Sequence, residues 1–115
     1  MVRMSIAELR RRAAKELAMR KTPDPTDTDI EEARSIMNAY YRLAALDYRI
    51  CELQNDVRTC NLTSTRRAEE SAERRLKRLQ KRLEPYNASI VYSGIYPSIC
   101  KAGTTQDLFL TYFYE

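Results

Sequence analysis

The chain has 115 residues, of which 43% are hydrophobic and 31% charged, and its formal net charge is +4. This balance is typical of a soluble globular or coiled-coil protein and not of a disordered chain. The sequence has no histidine, and its two glycines, Gly94 and Gly103, both lie in the last quarter. The commonest general base and any early phosphate-binding glycine loop are therefore missing, so we expect a single domain over residues 1–115 that is not an enzyme.

The first predicted element is a helix over residues 5–20. Ser5-Ile6-Ala7-Glu8 has the spacing of a capping box, and Ile6, Leu9, Ala13 and Leu17 form an apolar stripe. Residues 22–27 contain two prolines and predict an extended linker. Two roles stay open for this helix: a third member of a helical bundle, or an arm that docks on a target.

The second and third predicted helices, over residues 28–60 and 64–84, form an antiparallel hairpin because the break between them is short. Thr28-Asp29-Ile30-Glu31 reads as a second capping box, and Pro85 stops the third helix. Two heptad series predict a coiled-coil-like seam. In the second helix, one series is Ile36, Leu43, Ile50 and Val57, and the other is Ala39, Leu46, Leu53 and Cys60. In the third helix, one series is Ala72, Leu79 and Tyr86, and the other is Leu76 and Leu83, which Glu69 interrupts near the start of the helix.

Residues 88–114 predict a small antiparallel sheet, because this segment is rich in tyrosine and β-branched residues. We expect strands over residues 89–92 and 108–114 and a short edge strand over 95–101, where Pro97 limits pairing. Residues 102–105 form a turn. The predicted fold class is mainly α (α+β): a helical hairpin with a short N-terminal helix and a small C-terminal sheet.

Basic side chains predict two binding surfaces for a protein or nucleic-acid partner. Fifteen of the twenty basic residues are arginine, which binds phosphates and carboxylates in bidentate fashion. The predicted binding residues are Arg10, Arg11 and Lys15 on the first helix, and Arg67, Arg74, Arg75, Lys77, Arg78, Lys81 and Arg82 on the third. The alternative is a solvated helix with internal ion pairs, such as Glu70–Arg74 and Glu73–Lys77. Residues 61–84 carry eight basic and four acidic groups, however, so a positive excess remains.

Aromatic residues predict a further interface at the C-terminus. The last predicted strand is apolar on both faces, so either the fold covers both or one meets a partner, with a homodimer as the simplest case. The predicted interface residues are Phe109, Tyr112, Phe113 and Tyr114. Tyr40, Tyr41 and Tyr48 flank the seam and predict a wider core contact against the first helix or the sheet.

The sequence predicts no metal or cofactor and no membrane span. The acidic residues from Asp24 to Glu32 could hold Mg²⁺, but the electrostatics of a helix start explain them without an ion. Cys51, Cys60 and Cys100 are odd in number and lack CxxC spacing, which favours reduced thiols in the cytoplasm. There is no run of about 18 apolar residues.

Three functions remain open. The leading hypothesis is a regulatory or inhibitory protein that docks on a macromolecular partner, such as a nucleic-acid-handling enzyme, through its basic helices and aromatic sheet. The alternatives are direct DNA or RNA binding and a structural coiled-coil homo-oligomer. In general type, though not in any motif, the chain is similar to small accessory proteins of phages and mobile elements, including inhibitors of host defence nucleases.

Overall fold

The computed structural model describes residues 5–55, 62–94 and 96–109. The fold is mainly α, with a small antiparallel sheet of two strands. The elements are α1 (Ile6–Lys21), α2 (Asp27–Asn55), α3 (Leu62–Leu83), a 3₁₀ turn (Glu84–Tyr86), β1 (Ala88–Ser93) and β2 (Tyr96–Lys101). Along these described segments, no helix is long and apolar enough to cross a membrane.

The N-cap role predicted for Ser5 is confirmed, as one half of the predicted capping box, but the buried stripe of α1 differs from the prediction. The Ser5 hydroxyl accepts a hydrogen bond from the Glu8 N–H at 3.2 Å. The buried face consists of small residues and one leucine: Ala13, Ala14, Leu17 and Ala18. Ile6, which we expected in the stripe, is 69% exposed. The alanine side chains take its place because they let α1 approach α2 closely in its C-terminal half.

Helix α1 packs on the rest of the protein and is not a free arm. It runs antiparallel to α2, since Lys21 pairs with Glu32 at 3.8 Å near one end while Arg10 lies over Tyr41 at the other. The Arg20 guanidinium donates to the carbonyl oxygens of Tyr86 and Asn87 at 3.1 and 2.9 Å. These bonds satisfy acceptors at the end of the 3₁₀ turn and attach α1 to it.

The cap of α2 lies two residues before the predicted one. The Asp29 N–H donates to the Thr26 hydroxyl at 3.2 Å, and the Asp29 carboxylate accepts from the Thr26 N–H at 2.9 Å. This reciprocal pair is the capping box, so Thr26 and not Thr28 begins the helix. Both threonines have an acidic residue three positions later, and local spacing alone could not separate them.

Helix α2 is the central helix of the fold and buries a broader face than the predicted seam. Ile36, Leu43 and Ile50 are buried as expected. The second heptad series is only half-buried at Ala39, Leu46 and Leu53. The remaining buried residues of this helix are Ala33, Met37 and Tyr40. Helix α2 therefore packs on several sides, and the predicted seam positions 57 and 60 lie outside the described residues.

Helix α3 runs antiparallel to α2 and starts two residues earlier than predicted. Near one end Gln54 donates to Glu69 at 2.7 Å, and near the other Arg82 donates to Ser35 at 3.0 Å. The predicted core positions Ala72, Leu79, Leu83 and Tyr86 are buried, whereas Leu76 is half-buried. Glu69, the predicted fault in the heptad, is exposed.

Strands β1 and β2 form an antiparallel hairpin that covers one side of the helices. Ile90 pairs with Ile99, and both are buried. The Gln80 side chain bonds both backbone groups of Ile90, accepting from its N–H at 2.8 Å and donating to its carbonyl at 3.0 Å. The Tyr40 hydroxyl donates to the Pro97 carbonyl at 2.8 Å. The sheet is thus held by side chains of α2 and α3.

The chain after β2 differs from the predicted terminal strand. Asp107 forms a single bridge with Cys100, and the Leu108 N–H donates to the Ile99 carbonyl at 2.9 Å. The Asp107 carboxylate then accepts from the Phe109 N–H at 2.8 Å, which turns the backbone. The Phe109 ring is 2% exposed and belongs to the core, so the prediction that it faces a partner is wrong. The rest of that strand, residues 110–114, lies outside the described residues.

Candidate functional site

The exposed face of α2 presents basic residues between the two helices that flank it. Arg34, Asn38 and Arg42 are spaced by four and so lie along one side of the helix, over about 12 Å. Asn38 is two residues from Tyr40, which is about 200° around the helix axis. Since Tyr40 contacts the sheet, Arg34, Asn38 and Arg42 lie on the opposite, open side.

Three adjoining depressions follow this open side of α2, with volumes of about 370, 390 and 410 Å³. Asn38 lines all three depressions. Residues of α1 line one side of this surface and a residue of α3 lines the other, and we call these two sides its banks. We call this surface the arginine groove and define it by its charged residues together with Asn38 and Tyr41. Those charged residues are Arg10, Arg11, Glu31, Arg34, Arg42 and Arg82. Five arginines against one glutamate give the groove a net charge of +4.

Arg10 is fixed on the α1 bank by an aromatic ring. Its guanidinium carbon lies 4.4 Å from the centroid of the Tyr41 ring, which is a cation–π contact. Burial raises the pKa of the Tyr41 hydroxyl, and the charge of Arg10 opposes that shift. Tyr41 therefore stays neutral near pH 7 and serves as a platform for the arginine.

On the α3 bank, Arg82 is oriented by its hydrogen bond to Ser35 of α2. Arg75 and Arg78 precede it by seven and four residues, so they lie on the same side of α3. Arg75 donates to Ser71 at 3.4 Å, a long hydrogen bond within the same helix. In the same way Lys15 follows Arg11 by four residues on α1. Three of the predicted binding residues thus line the groove, namely Arg10, Arg11 and Arg82, and Lys15, Arg75 and Arg78 lie one or two turns from them on the same helices.

The other predicted binding residues lie on the far side of α3. Arg67, Arg74 and Lys81 each follow by two residues a buried position of that helix, so they point away from the core. We call these three side chains the outer row. Lys77 lies near the outer row and pairs with Glu73 at 3.8 Å, as the alternative interpretation predicts. The structure therefore splits the predicted basic surface of α3 into two.

Ion pairs neutralise only part of this charge. In the groove, Arg34 pairs with Glu31 at 3.6 Å, with both side chains largely exposed. The predicted pair Glu70–Arg74 is not formed among the described residues. An exposed pair such as Arg34–Glu31 contributes little free energy and dissociates easily in favour of a stronger anion.

Sequence reasoning missed the central part of the groove. Arg34, Asn38 and Arg42 were not among the predicted binding residues, because a polar stripe opposite a heptad seam usually faces only solvent. The signal was present, however: two arginines eight residues apart on one side of a helix with no acidic residue between them on that side. What the stripe alone does not reveal is that α1 and α3 add arginines on both banks.

Two further groups of chemical interest lie in the described parts of the chain, the acidic segment before α2 and the buried Cys100. No group of three or more potential metal-ligating side chains comes together there. In the acidic segment before α2, Asp29 is engaged by the helix cap, whose hydrogen bonds from Thr26 lower the pKa of its carboxyl. Cys100 is buried, and burial, with the nearby Asp107 charge, raises the pKa of its thiol. Such a thiol is a poor nucleophile.

The comparisons with known proteins add no functional information. No protein-family model, curated protein or solved structure matches this chain. The arginine groove is therefore interpreted from its own geometry and charge.

Proposed function

We propose that this chain is a non-catalytic, regulatory or inhibitory protein that docks on a macromolecular partner through its arginine-rich helices. The observation that carries the proposal is the convergence of five arginines from three helices on one open face around Asn38. Keeping so many like charges together costs free energy, so a protein that does so gains from an anionic partner. In this proposal α2 and α3 act as an antiparallel coiled-coil-like hairpin that presents the groove.

The sequence suggested a nucleic-acid-handling enzyme as the partner and nucleic acid itself as the alternative. Enzymes that bind nucleic acid generally present positive clefts, which an arginine groove would repel. The groove is complementary to the nucleic acid in such a complex. We therefore favour docking on nucleic acid or on an enzyme that carries it, in the cytoplasm, where the free thiol of Cys100 would stay reduced.

A structural homo-oligomer has less support. The seam residues Ile36, Leu43 and Ile50 are already buried within one chain, so they are not available to a second copy. A homodimer through the aromatic terminus would depend on Tyr112, Phe113 and Tyr114, which lie outside the described residues.

Affinity capture from a lysate of the native host tests the proposal. We expect the wild-type protein to retain a partner, and the variant Arg34→Glu, Arg42→Glu, Arg82→Glu to lose it while keeping nearly the same thermal stability. The matched reversal Arg67→Glu, Arg74→Glu, Lys81→Glu should reduce capture less. Equal capture by the wild type and the groove variant would contradict the proposal. Nuclease treatment of a parallel lysate separates protein partners from those held through nucleic acid.

A further inference from the structure

We infer that the arginine groove binds the sugar–phosphate backbone of double-stranded nucleic acid, without reading its sequence. This inference rests on the proposed function and names the partner of the same site. Charge alone does not decide it, because guanidinium groups form bidentate hydrogen bonds with both phosphates and carboxylates. The shape and chemistry of the groove make the distinction.

An acidic protein segment fits the groove less well than a nucleic acid. Protein interfaces depend on apolar and aromatic anchors that fill pockets at their centre. The centre of the groove is polar, with Asn38 between Arg34 and Arg42. Met37, the large apolar residue nearest this centre, is only 1% exposed, and the exposed Ile6 lies at the far end of α1. The α3 side of the groove therefore offers mainly hydrogen bonds and charge, whereas its α1 end, lined by Ile6 and Ala7, also exposes apolar surface.

A single strand also fits less well than a duplex. Proteins that bind single strands stack the bases on exposed aromatic rings. Tyr41 is the one aromatic residue among those that line the groove, and Arg10 covers a face of its ring at 4.4 Å. The exposed tyrosines of the described chain, Tyr48, Tyr92 and Tyr96, lie outside the lining. The groove thus recognises phosphates and not bases.

The dimensions of the groove suit a duplex backbone. From α1 across α2 to α3 the surface spans two interhelical distances, about 16–20 Å. Counting both strands, a duplex carries one phosphate per ~1.7 Å of its axis, so about ten fall within that span and roughly half of them face the surface. The groove has five arginines to meet them. The residues that line the groove lie along the sides of α1, α2 and α3, so they face a backbone that lies across these helices, and we infer binding that is independent of sequence.

The salt dependence of duplex binding tests this inference. The probe is a short fluorescent DNA duplex of mixed sequence, with fluorescence anisotropy measured from 50 to 200 mM salt. Five phosphate contacts predict a slope of about −4.5 for log affinity against log salt, or a loss of roughly 500-fold over that range. The variant Arg34→Gln, Arg42→Gln, Arg82→Gln should bring the slope to about −2.

Two control variants make the test specific. Arg67→Gln, Arg74→Gln, Lys81→Gln removes the same charge from the outer row and should change the slope by less than about 1. The single change Arg42→Gln removes a side chain that lines two of the depressions, and it should make the slope less negative by about 0.9. This single variant keeps the test decisive if the triple variant folds poorly. Equal losses for the groove and outer-row variants would overturn the inference.

The competitors identify the occupant. Unlabelled duplexes of unrelated sequence should displace the probe equally, and single strands and poly-L-glutamate more weakly. Tighter binding of single strands or of poly-L-glutamate would overturn the inference. So would the absence of duplex binding together with nuclease-resistant capture of a protein that requires the groove arginines. That last result would leave the proposed function standing, whereas a wild-type protein that binds no duplex and captures no partner from the lysate would contradict both.

Discussion

Two tyrosines with buried rings show how a single hydroxyl affects stability in this protein. The Tyr40 hydroxyl donates to the Pro97 carbonyl at 2.8 Å, whereas the Tyr86 hydroxyl has no hydrogen-bond partner among the described residues. Tyr40→Phe should therefore reduce the free energy of unfolding by about 1–3 kcal/mol, because it leaves a buried carbonyl unpaired. Tyr86→Phe should be neutral or stabilising, since it removes an unpaired polar group from the core.

Urea denaturation of the two variants, followed by far-UV circular dichroism, measures this difference. Each variant serves as the control for the other, because the chemical change is the same and both rings are buried. A loss of stability in Tyr86→Phe as large as that in Tyr40→Phe would show that the Tyr86 hydroxyl has a partner in solution. The hydrogen-bond assignment would then be wrong at this position.

At the scale of the element, the start of α2 depends on a capping box that includes the ionisable carboxyl group of Asp29. The hydrogen bonds from Thr26 lower the pKa of the Asp29 carboxyl below 3.8, so the folded state favours its charged form. Because the pKa of this carboxyl is lower in the folded state than in the unfolded state, its charged form stabilises the fold fully at pH values above the unfolded-state pKa. This stabilisation is lost as the pH falls through the folded-state pKa. Asp29→Asn should therefore flatten the pH dependence of stability below about pH 4. Thr26→Ala should cost about 1 kcal/mol at neutral pH.

Thermal melts from pH 2 to 7 test this prediction against Asp24→Asn, which changes an exposed carboxylate in the linker before α2. The control should keep the pH profile of the wild type. If Asp29→Asn and Asp24→Asn give the same profile, the acid sensitivity arises elsewhere and the cap does not contribute to it.

Comparison of the individual elements shows what the sequence could and could not predict. The Ser5 cap and the buried positions Ile36, Leu43 and Leu79 follow from spacing within a single helix, so local patterns were sufficient. The choice between Thr26 and Thr28 depended on hydrogen bonds that both sites could form. The inward turn of Phe109 depends on its backbone bond to Asp107, which the alternation of apolar residues does not reveal.

The candidate site was harder to predict because its residues are far apart in the sequence. Arg10, Arg42 and Arg82 are separated by 32 and 40 residues in the sequence. They meet because α2 lies between α1 and α3, while the sheet occupies the opposite side of α2. Charge counts identified the basic segments of α1 and α3, yet only the packing separates the groove from the outer row.

For the whole molecule, all the described helices and both strands contribute to one buried cluster. We therefore expect the groove to be a surface of a single cooperative unit, whose flanking helices do not separate without disturbing the core. Leu17 of α1 is fully buried in that cluster, at 0% exposed, so Leu17→Ala should lower the free energy of unfolding by about 2–5 kcal/mol. Met19→Ala, on the exposed side of the same helix, should have a much smaller effect.

The loss in Leu17→Ala should also be global. Far-UV circular dichroism follows the helices and near-UV circular dichroism follows the packed tyrosines, and in a two-state unit the two transitions coincide. We expect them to shift together, because removal of α1 from the core also removes the Arg20 bonds that hold the 3₁₀ turn before β1. A variant in which part of the helical signal is lost at lower denaturant than the tyrosine signal would mean that α1 unfolds separately. In that case the α1 bank, with Arg10 and Arg11, would be a movable part of the groove.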